Sequence, residues 1–278
     1  LLALSCFGYG CIWIKLLIPT KSYFWAEKCG VAFALGIGTI GWILFWPGIF
    51  GWLDQGLLWA VLVPGWLGVF TFGKDTVRVK VKKIDHITIL LILLILICVC
   101  MDFIEALSPP LDADSLAYHY ALPKQFLENG QIAFVPVAVQ GAVPLVLHLT
   151  YLLNFSLGGE LALTVWAFVT QFIVCLALYG VSRRWLSGNL SLTLVLVFIT
   201  TPAVIYGGGS GQLEVRTALF MLIGAVAASD SVKDQRIRTI VLAGLMAGFF
   251  MGSKYLGLFA AVGLFSVVIC QRRWYRSA

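Results

Sequence analysis

Between Leu111 and Lys124 the chain reads Leu-Asp-Ala-Asp-Ser-Leu-Ala-Tyr-His-Tyr-Ala-Leu-Pro-Lys, directly after a long apolar run. Charged groups are costly to bring near hydrocarbon, so two carboxylates, a histidine and a lysine at the mouth of an apolar segment mark a candidate site. Pro109 and Pro110 enforce an extended approach. Asp112 and Asp114, two residues apart on it, then point to one side. Such a pair can bind a cation or hold one proton between them. Asp114 is equally suited to cap the helix that Ser115-Leu116 begins. His119 and Tyr118 fit either chemistry or the headgroup level of a bilayer, and Lys124 fits either an anion contact or a snorkelling cation.

Two further places carry charge where the pattern is otherwise apolar. Glu214 and Arg216 follow Gly207-Gly208-Gly209-Ser210-Gly211 and open a helical run. Glu214 is favoured there by the helix dipole. Arg216 calls for a partner such as Glu214, a phosphate or Asp112. The glycine run lacks a strand-turn-helix context, so it reads as a flexible turn. Lys254 and Tyr255 interrupt the apolar stretch 241–270 at Gly252-Ser253-Lys254-Tyr255.

The elements that position these residues are set by composition. With 60% hydrophobic residues, 12% charged and a mean hydropathy of +0.96, the chain has more apolar side chain than one soluble core can hide. The formal charge of +6 sits in short clusters between apolar runs, as the positive-inside rule produces, which argues against nucleic acid as partner and for the bilayer. Seven cysteines, an odd number with no Cys-x-x-Cys pair, read as small apolar residues rather than as a zinc or disulfide framework. The start Leu-Leu-Ala, with no leader pattern, reads as a fragment of something longer.

Apolar runs at 1–18, 29–47, 56–72, 87–104, 160–181, 190–206 and 212–229 predict spans, so the fold class expected is all-α, a polytopic transmembrane helical bundle. The clusters Lys15/Lys21/Lys28, Lys74 to Lys83, Arg183/Arg184, Lys233/Arg236/Arg238 and Arg272/Arg273/Arg276 would share the cytoplasmic side. Segments 48–55, 105–159 and 207–211 then face outward. That parity requires 142–157 to lie in the interface as a short amphipathic helix. It also requires 241–270 to enter and return as a hairpin with Lys254 at its turn. Asp114 to Tyr120 and Pro123 to Asn129-Gly130 predict two short helices in the outer loop. Gly244, Gly248 and Gly252 form one stripe for close helix packing. The expected organisation is N-terminal spans at 1–84 and a core at 85–278 containing the outer loop 105–159.

Asp114-Ser115-Leu116-Ala117-Tyr118-His119, with Pro123-Lys124 and Gly130-Gln131-Ile132, resembles the first outer loop of the polytopic GT-C glycosyltransferases. The similarity is greatest to the bacterial dolichyl-phosphate-mannose-type enzymes of glycosyltransferase family 39. Gly248-Phe-Phe-Met-Gly-Ser-Lys-Tyr-Leu-Gly is similar to their glycine-rich, lysine-bearing hairpin. The resemblance runs from about residue 87 to the end and implies a loop with two juxtamembrane helices. It puts a catalytic acidic residue at Asp114, a second acidic residue at Glu214, and the hairpin lysine at Lys254. His148 departs from the pattern, which has an acidic residue there.

The resemblance implies a hexosyltransferase that moves a sugar from a polyprenyl phosphate to a glycan, lipid or protein acceptor. It would lie in the inner membrane of a bacterium with its site facing the periplasm or exterior. Asp114 would act as base, with Asp112 or a divalent cation held by either as the alternative. Lys254, Arg216, Lys124 and His119 would stabilise the departing phosphate, with Tyr255 beside them, and no metal ligand is assigned. The rival reading is a secondary transporter or flippase of a lipid-linked or small polar substrate, which would also carry broken helices and intramembrane charge. A third is a non-catalytic scaffold.

Overall fold

The structure, a computed structural model, describes residues 1–17, 23–72, 85–136, 143–234 and 237–277. Lys21, Lys74, Arg78, Lys80, Lys82, Lys83, Arg236 and residue 84 at the expected unit boundary lie outside the described residues, as do the side chains of Arg272, Arg273 and Arg276. The described chain is all-α, without a strand. In order it forms α1 (Leu2–Leu17), α2 (Trp25–Ile49), α3 (Gln55–Gly68), α4 (His86–Ala106), a π-helical turn (Ser115–His119) and α5 (Ala121–Asn129). It continues with α6 (Val146–Ser182), α7 (Gly188–Ile199), α8 (Pro202–Gly208), α9 (Glu214–Asp234), α10 (Ile237–Met251) and α11 (Gly257–Ser277).

Among the described residues four helices, α2, α4, α6 and α9, are long and apolar enough to cross a membrane, and the bent pair α7–α8 makes a fifth if it is one span. Pro202 starts α8 after the Thr200–Thr201 break, and the two pieces meet at 72°. One apolar core runs through the bundle, from Leu35, Ile40 and Leu44 of α2 to Leu58 and Leu62 of α3, Leu149 and Leu152 of α6 and Phe220 of α9. Close approach of α2 and α6 depends on Gly180, where a Cβ would lie 2.1 Å from the Glu27 backbone nitrogen. The expected stripe is different: a Cβ at Gly244 or Gly248 would meet nothing within 4 Å. Of the stripe only Gly252 is closely approached, where a Cβ would lie 2.7 Å from Val146. Other close crossings are α1–α2 (Gly10 against Ala32) and α1–α3 (Gly8 against Gly65), while Gly244 borders an open apolar groove between α10 and α11.

The two ends of the bundle differ in chemistry. At one, Arg184 donates from Nη1 to both Asp230 oxygens at 3.0 Å and pairs through Nη2 with Glu27, tying the ends of α6 and α9 to the start of α2. Asp85 and Thr88 bind Asn189 at the same end, joining α4 to α7. At the other end the segments expected to face together do meet. Leu53 N–H donates to Gly130 O at 3.1 Å and Ile132 N–H to Gly48 O at 2.8 Å, which fastens the α5 exit to the α2–α3 turn. Val146 N–H donates to Gly252 O at 2.8 Å, fastening the tip of the α10–α11 hairpin to the start of α6.

α6 is two helices across a break at Gly158 and Gly159, the second at φ 66°, a conformation that favours glycine. The segment before the break, about 18 Å of helix, is too short to span. It is not the amphipathic surface helix expected. Every residue from Val146 to Asn154 is buried. Its polar groups are satisfied internally, Asn154 by Thr150 O at 2.9 Å and Thr150 Oγ1 by the Trp166 indole at 3.0 Å, so it wedges into the bundle.

Candidate functional site

Asp112, and not Asp114, caps the helical turn: its Oδ1 accepts the Ser115 N–H at 2.8 Å, while Asp114 has helical φ/ψ and makes no cap bond. The reason is that the turn starts two residues earlier than the apolar periodicity indicates, leaving Asp114 inside it. Asp114 is thereby exposed and free of the backbone. Gln212 Nε2 lies 3.2 Å from Asp114 Oδ2 and 3.4 Å from Asp112 Oδ1, so one amide bridges the pair. Asp112 Oδ2 is buried without a partner. Burial first, then the Asp114 and Glu214 charges, pushes the Tyr118 hydroxyl up to about 12.

The loop is docked on the turn before α9. Gly211 N–H donates to Ser115 Oγ at 2.7 Å, and Tyr151 OH donates to Gly211 O at 3.1 Å. Arg216 builds that turn from below. It is buried, with Nε on Thr170 Oγ1 at 3.1 Å, Nη1 on Gly207 O at 2.8 Å and on Gln212 O, and Nη2 on Gly208 O at 3.1 Å. The expected partners Glu214, Asp112 or a phosphate are thus replaced by backbone carbonyls. The glycine run supplies them because a helix end leaves carbonyls unpaired.

Lys254, at the hairpin tip, is paired with Glu214 at the start of α9. Lys124 is separated from this group. It lies at the surface, 3.7 Å from Glu160 and 5.5 Å from the Phe155 ring centroid. Tyr255 is exposed beside Lys254. His119 is brought to His148 at 2.9 Å, Nδ1 to Nε2, with the rings stacked at 19°. Sequence alone gave His148 no role, and the only signal was its departure from an acidic pattern.

His148 Nδ1 faces Pro144 O at 3.2 Å, and a carbonyl can only accept, so this nitrogen carries the proton. A charged imidazolium would be costly at this buried place beside the Lys254 cation. His148 is therefore neutral and its Nε2 accepts from His119 Nδ1. That leaves His119 Nε2 as a bare acceptor, and it is a buried atom without a partner. Burial, then His148, Lys254 and Arg216, pulls His119 down to about 2. His119 is thus not the cation for a departing phosphate that the sequence reading allowed.

Two cavities meet at Lys254. One, about 480 Å³, is an apolar groove lined by Val174, Leu178, Phe198, Met221, Leu222 and Phe250, with Glu214 and Lys254 at its polar end. The other, about 160 Å³, has largely apolar walls from residues such as Val143, Pro144, Leu213 and Leu256, with Tyr118, His119, His148, Ser253 and Lys254 bringing polar groups to it. Among the described residues no group of three His, Cys, Asp or Glu side chains is placed to hold a metal ion.

An all-α bundle with an acidic loop and a lysine hairpin at one end agrees with what the resemblance to GT-C-type membrane glycosyltransferases implies. Residues 142–278, just under half of the chain, match the family model described as dolichyl-phosphate-mannose-protein mannosyltransferase. The match bears out the resemblance read from the hairpin, Glu214 and Lys254 included in its range, and stops short of Asp112 to Lys124. No curated protein and no solved structure matches the chain.

Proposed function

We propose that the chain transfers a sugar from a polyprenyl-phosphate donor to a hydroxyl of a glycan, lipid or protein acceptor at the outward end of the bundle. The observation that carries this reading is the position of Lys254, which borders both the long apolar groove and the smaller cavity beneath the acidic loop. An isoprenoid tail suits the groove, a phosphate suits the cation, and the polar head lies beyond. Asp114 takes the acceptor proton as the hydroxyl oxygen bonds to the anomeric carbon, a role worth roughly 10²- to 10⁴-fold. The bond from that carbon to the phosphate oxygen breaks, and its electron pair stays on the phosphate. Lys254 stabilises that charge far better in a water-poor cleft than in bulk. Asp112 and Gln212 hold Asp114 in place, and Arg216 holds the turn that carries Gln212.

The test is sugar transfer in membranes supplied with radiolabelled polyprenyl-phosphate mannose, with Asp114→Asn as the comparison. Transfer by the parent and its loss in the variant are expected. Passage of the donor or of small polar solutes across sealed vesicles without transfer would replace this reading by a transporter or flippase.

A further inference from the structure

The small cavity has a chemical bias independent of Lys254. Ser253 Oγ donates its proton to Phe249 O at 2.7 Å. His119 Nε2 has no proton to give. Within largely apolar walls, His119 Nε2 and Ser253 Oγ thus offer lone pairs, and a polyhydroxyl group offers both O–H donors to match them and C–H faces for the apolar surface. Tyr118 and Tyr255 add aromatic surface. The volume, about 160 Å³, is roughly the share of liquid volume of five waters, which suits one sugar ring and excludes a long tail. An acceptor as deeply buried as His119 Nε2, 2% exposed for the residue and without a protein partner, is expensive to leave unpaired.

We propose that this cavity seats the transferred sugar and that His119 Nε2 accepts a hydrogen bond from one of its ring hydroxyls, which makes His119 the residue that selects the sugar. His148 acts as its positioning residue, fixing the tautomer through the relay Pro144 O, His148, His119. The inference rests on the donor reading above, because Lys254 joins the cavity to the groove. A site that hydrogen-bonds a substrate hydroxyl discriminates strongly against an analogue lacking it, since the buried partner is then left unpaired.

The experiment measures binding to the purified full chain in nanodiscs. The probes are bare polyprenyl phosphate and polyprenyl phosphates bearing mannose, glucose or galactose, followed by monodeoxy analogues of whichever hexose binds best. One hexosyl lipid should bind about tenfold tighter than the bare lipid, and one deoxy position should remove that preference. His119→Phe, which keeps a ring and deletes the acceptor, should bring the ratio of hexosyl to bare lipid close to one. A ratio unchanged in His119→Phe, or deoxy analogues all binding like the parent sugar, would overturn the assignment and leave the donor reading standing. The deoxy series needs no variant, so misfolding of His119→Phe does not block it. Failure of the parent protein to bind any of the lipid phosphates would instead remove the donor reading, and the sugar assignment with it.

Discussion

Lys254 lines both the apolar groove and the small cavity, and it is ion-paired with Glu214, forty residues away, which lines the groove. Both side chains keep solvent contact, 30% and 55% exposed, and such pairs contribute only about 0.2–1 kcal/mol. The pair is therefore cheap to exchange, and an incoming phosphate can take the place of the Glu214 carboxylate on Lys254.

Lys254→Ala is expected to weaken polyprenyl phosphate binding by about tenfold or more, since a charge-assisted contact contributes about 1.5–3 kcal/mol. Glu214→Gln, which removes the competing carboxylate, should strengthen it. Binding of the bare lipid to the two variants checks both, and equal affinity in both would make the pair purely structural.

Asp112 and Asp114 should separate in their effects. Asp114→Asn keeps the fold, because the carboxylate is exposed and holds no backbone N–H, and lowers transfer by roughly 10²- to 10⁴-fold. Asp112→Ala removes the cap on Ser115 and should lower stability by about 1 kcal/mol. Transfer assays paired with thermal unfolding distinguish the two outcomes.

Docking of the acidic loop depends on the lack of a side chain at Gly211. A Cβ there would lie 2.7 Å from Ser115 Oγ and 2.9 Å from the Tyr120 ring. Gly211→Ala should displace the loop at a cost of about 1–3 kcal/mol and lower transfer with no chemical group removed. Faster proteolysis between residues 107 and 136 is the expected readout.

Acid should destabilise the protein through His119. The folded state holds this ring neutral down to about pH 2, whereas the unfolded chain takes up a proton near the ordinary 6.5. Below 6.5 the unfolded state binds more protons, so stability falls with decreasing pH. Above 6.5 both states are neutral and this contribution is level. His148, Lys254 and Arg216 face the ring and all oppose its charging. Thermal unfolding between pH 8 and 5 should show the decline, and it should be shallower in His119→Phe.

Local signals gave the helices at 29–47, 87–104, 160–181 and 212–229 that are long enough to span, but not that α1 and α3 fall short of that length. They also gave the hairpin turn at Gly252 to Tyr255 and the end of α5 at Asn129-Gly130, where Gly130 adopts φ 66°. These follow from short-range properties, namely apolar run length, charge parity and glycine conformation. Long-range pairing was not legible. Nothing near Arg216 announces that it will bind the carbonyls of Gly207, Gly208 and Gln212, because backbone acceptors carry no residue signature. The His119–His148 contact joins residues 29 apart whose side chains meet only once α6 is wedged inward. The burial of 146–154 was hidden for a related reason: His148, Thr150 and Asn154 read as a polar face until their partners are known.

The break at Gly158-Gly159 also governs dimension. An unbroken helix of the 37 residues in α6 would be about 55 Å long, well beyond a hydrocarbon slab of about 30 Å. Two residues without side chains thus break surplus length into two pieces, the first of them buried in the bundle beside the acidic loop. Straightening them would lift His148 away from its partner and open that end of the bundle to the surrounding fluid.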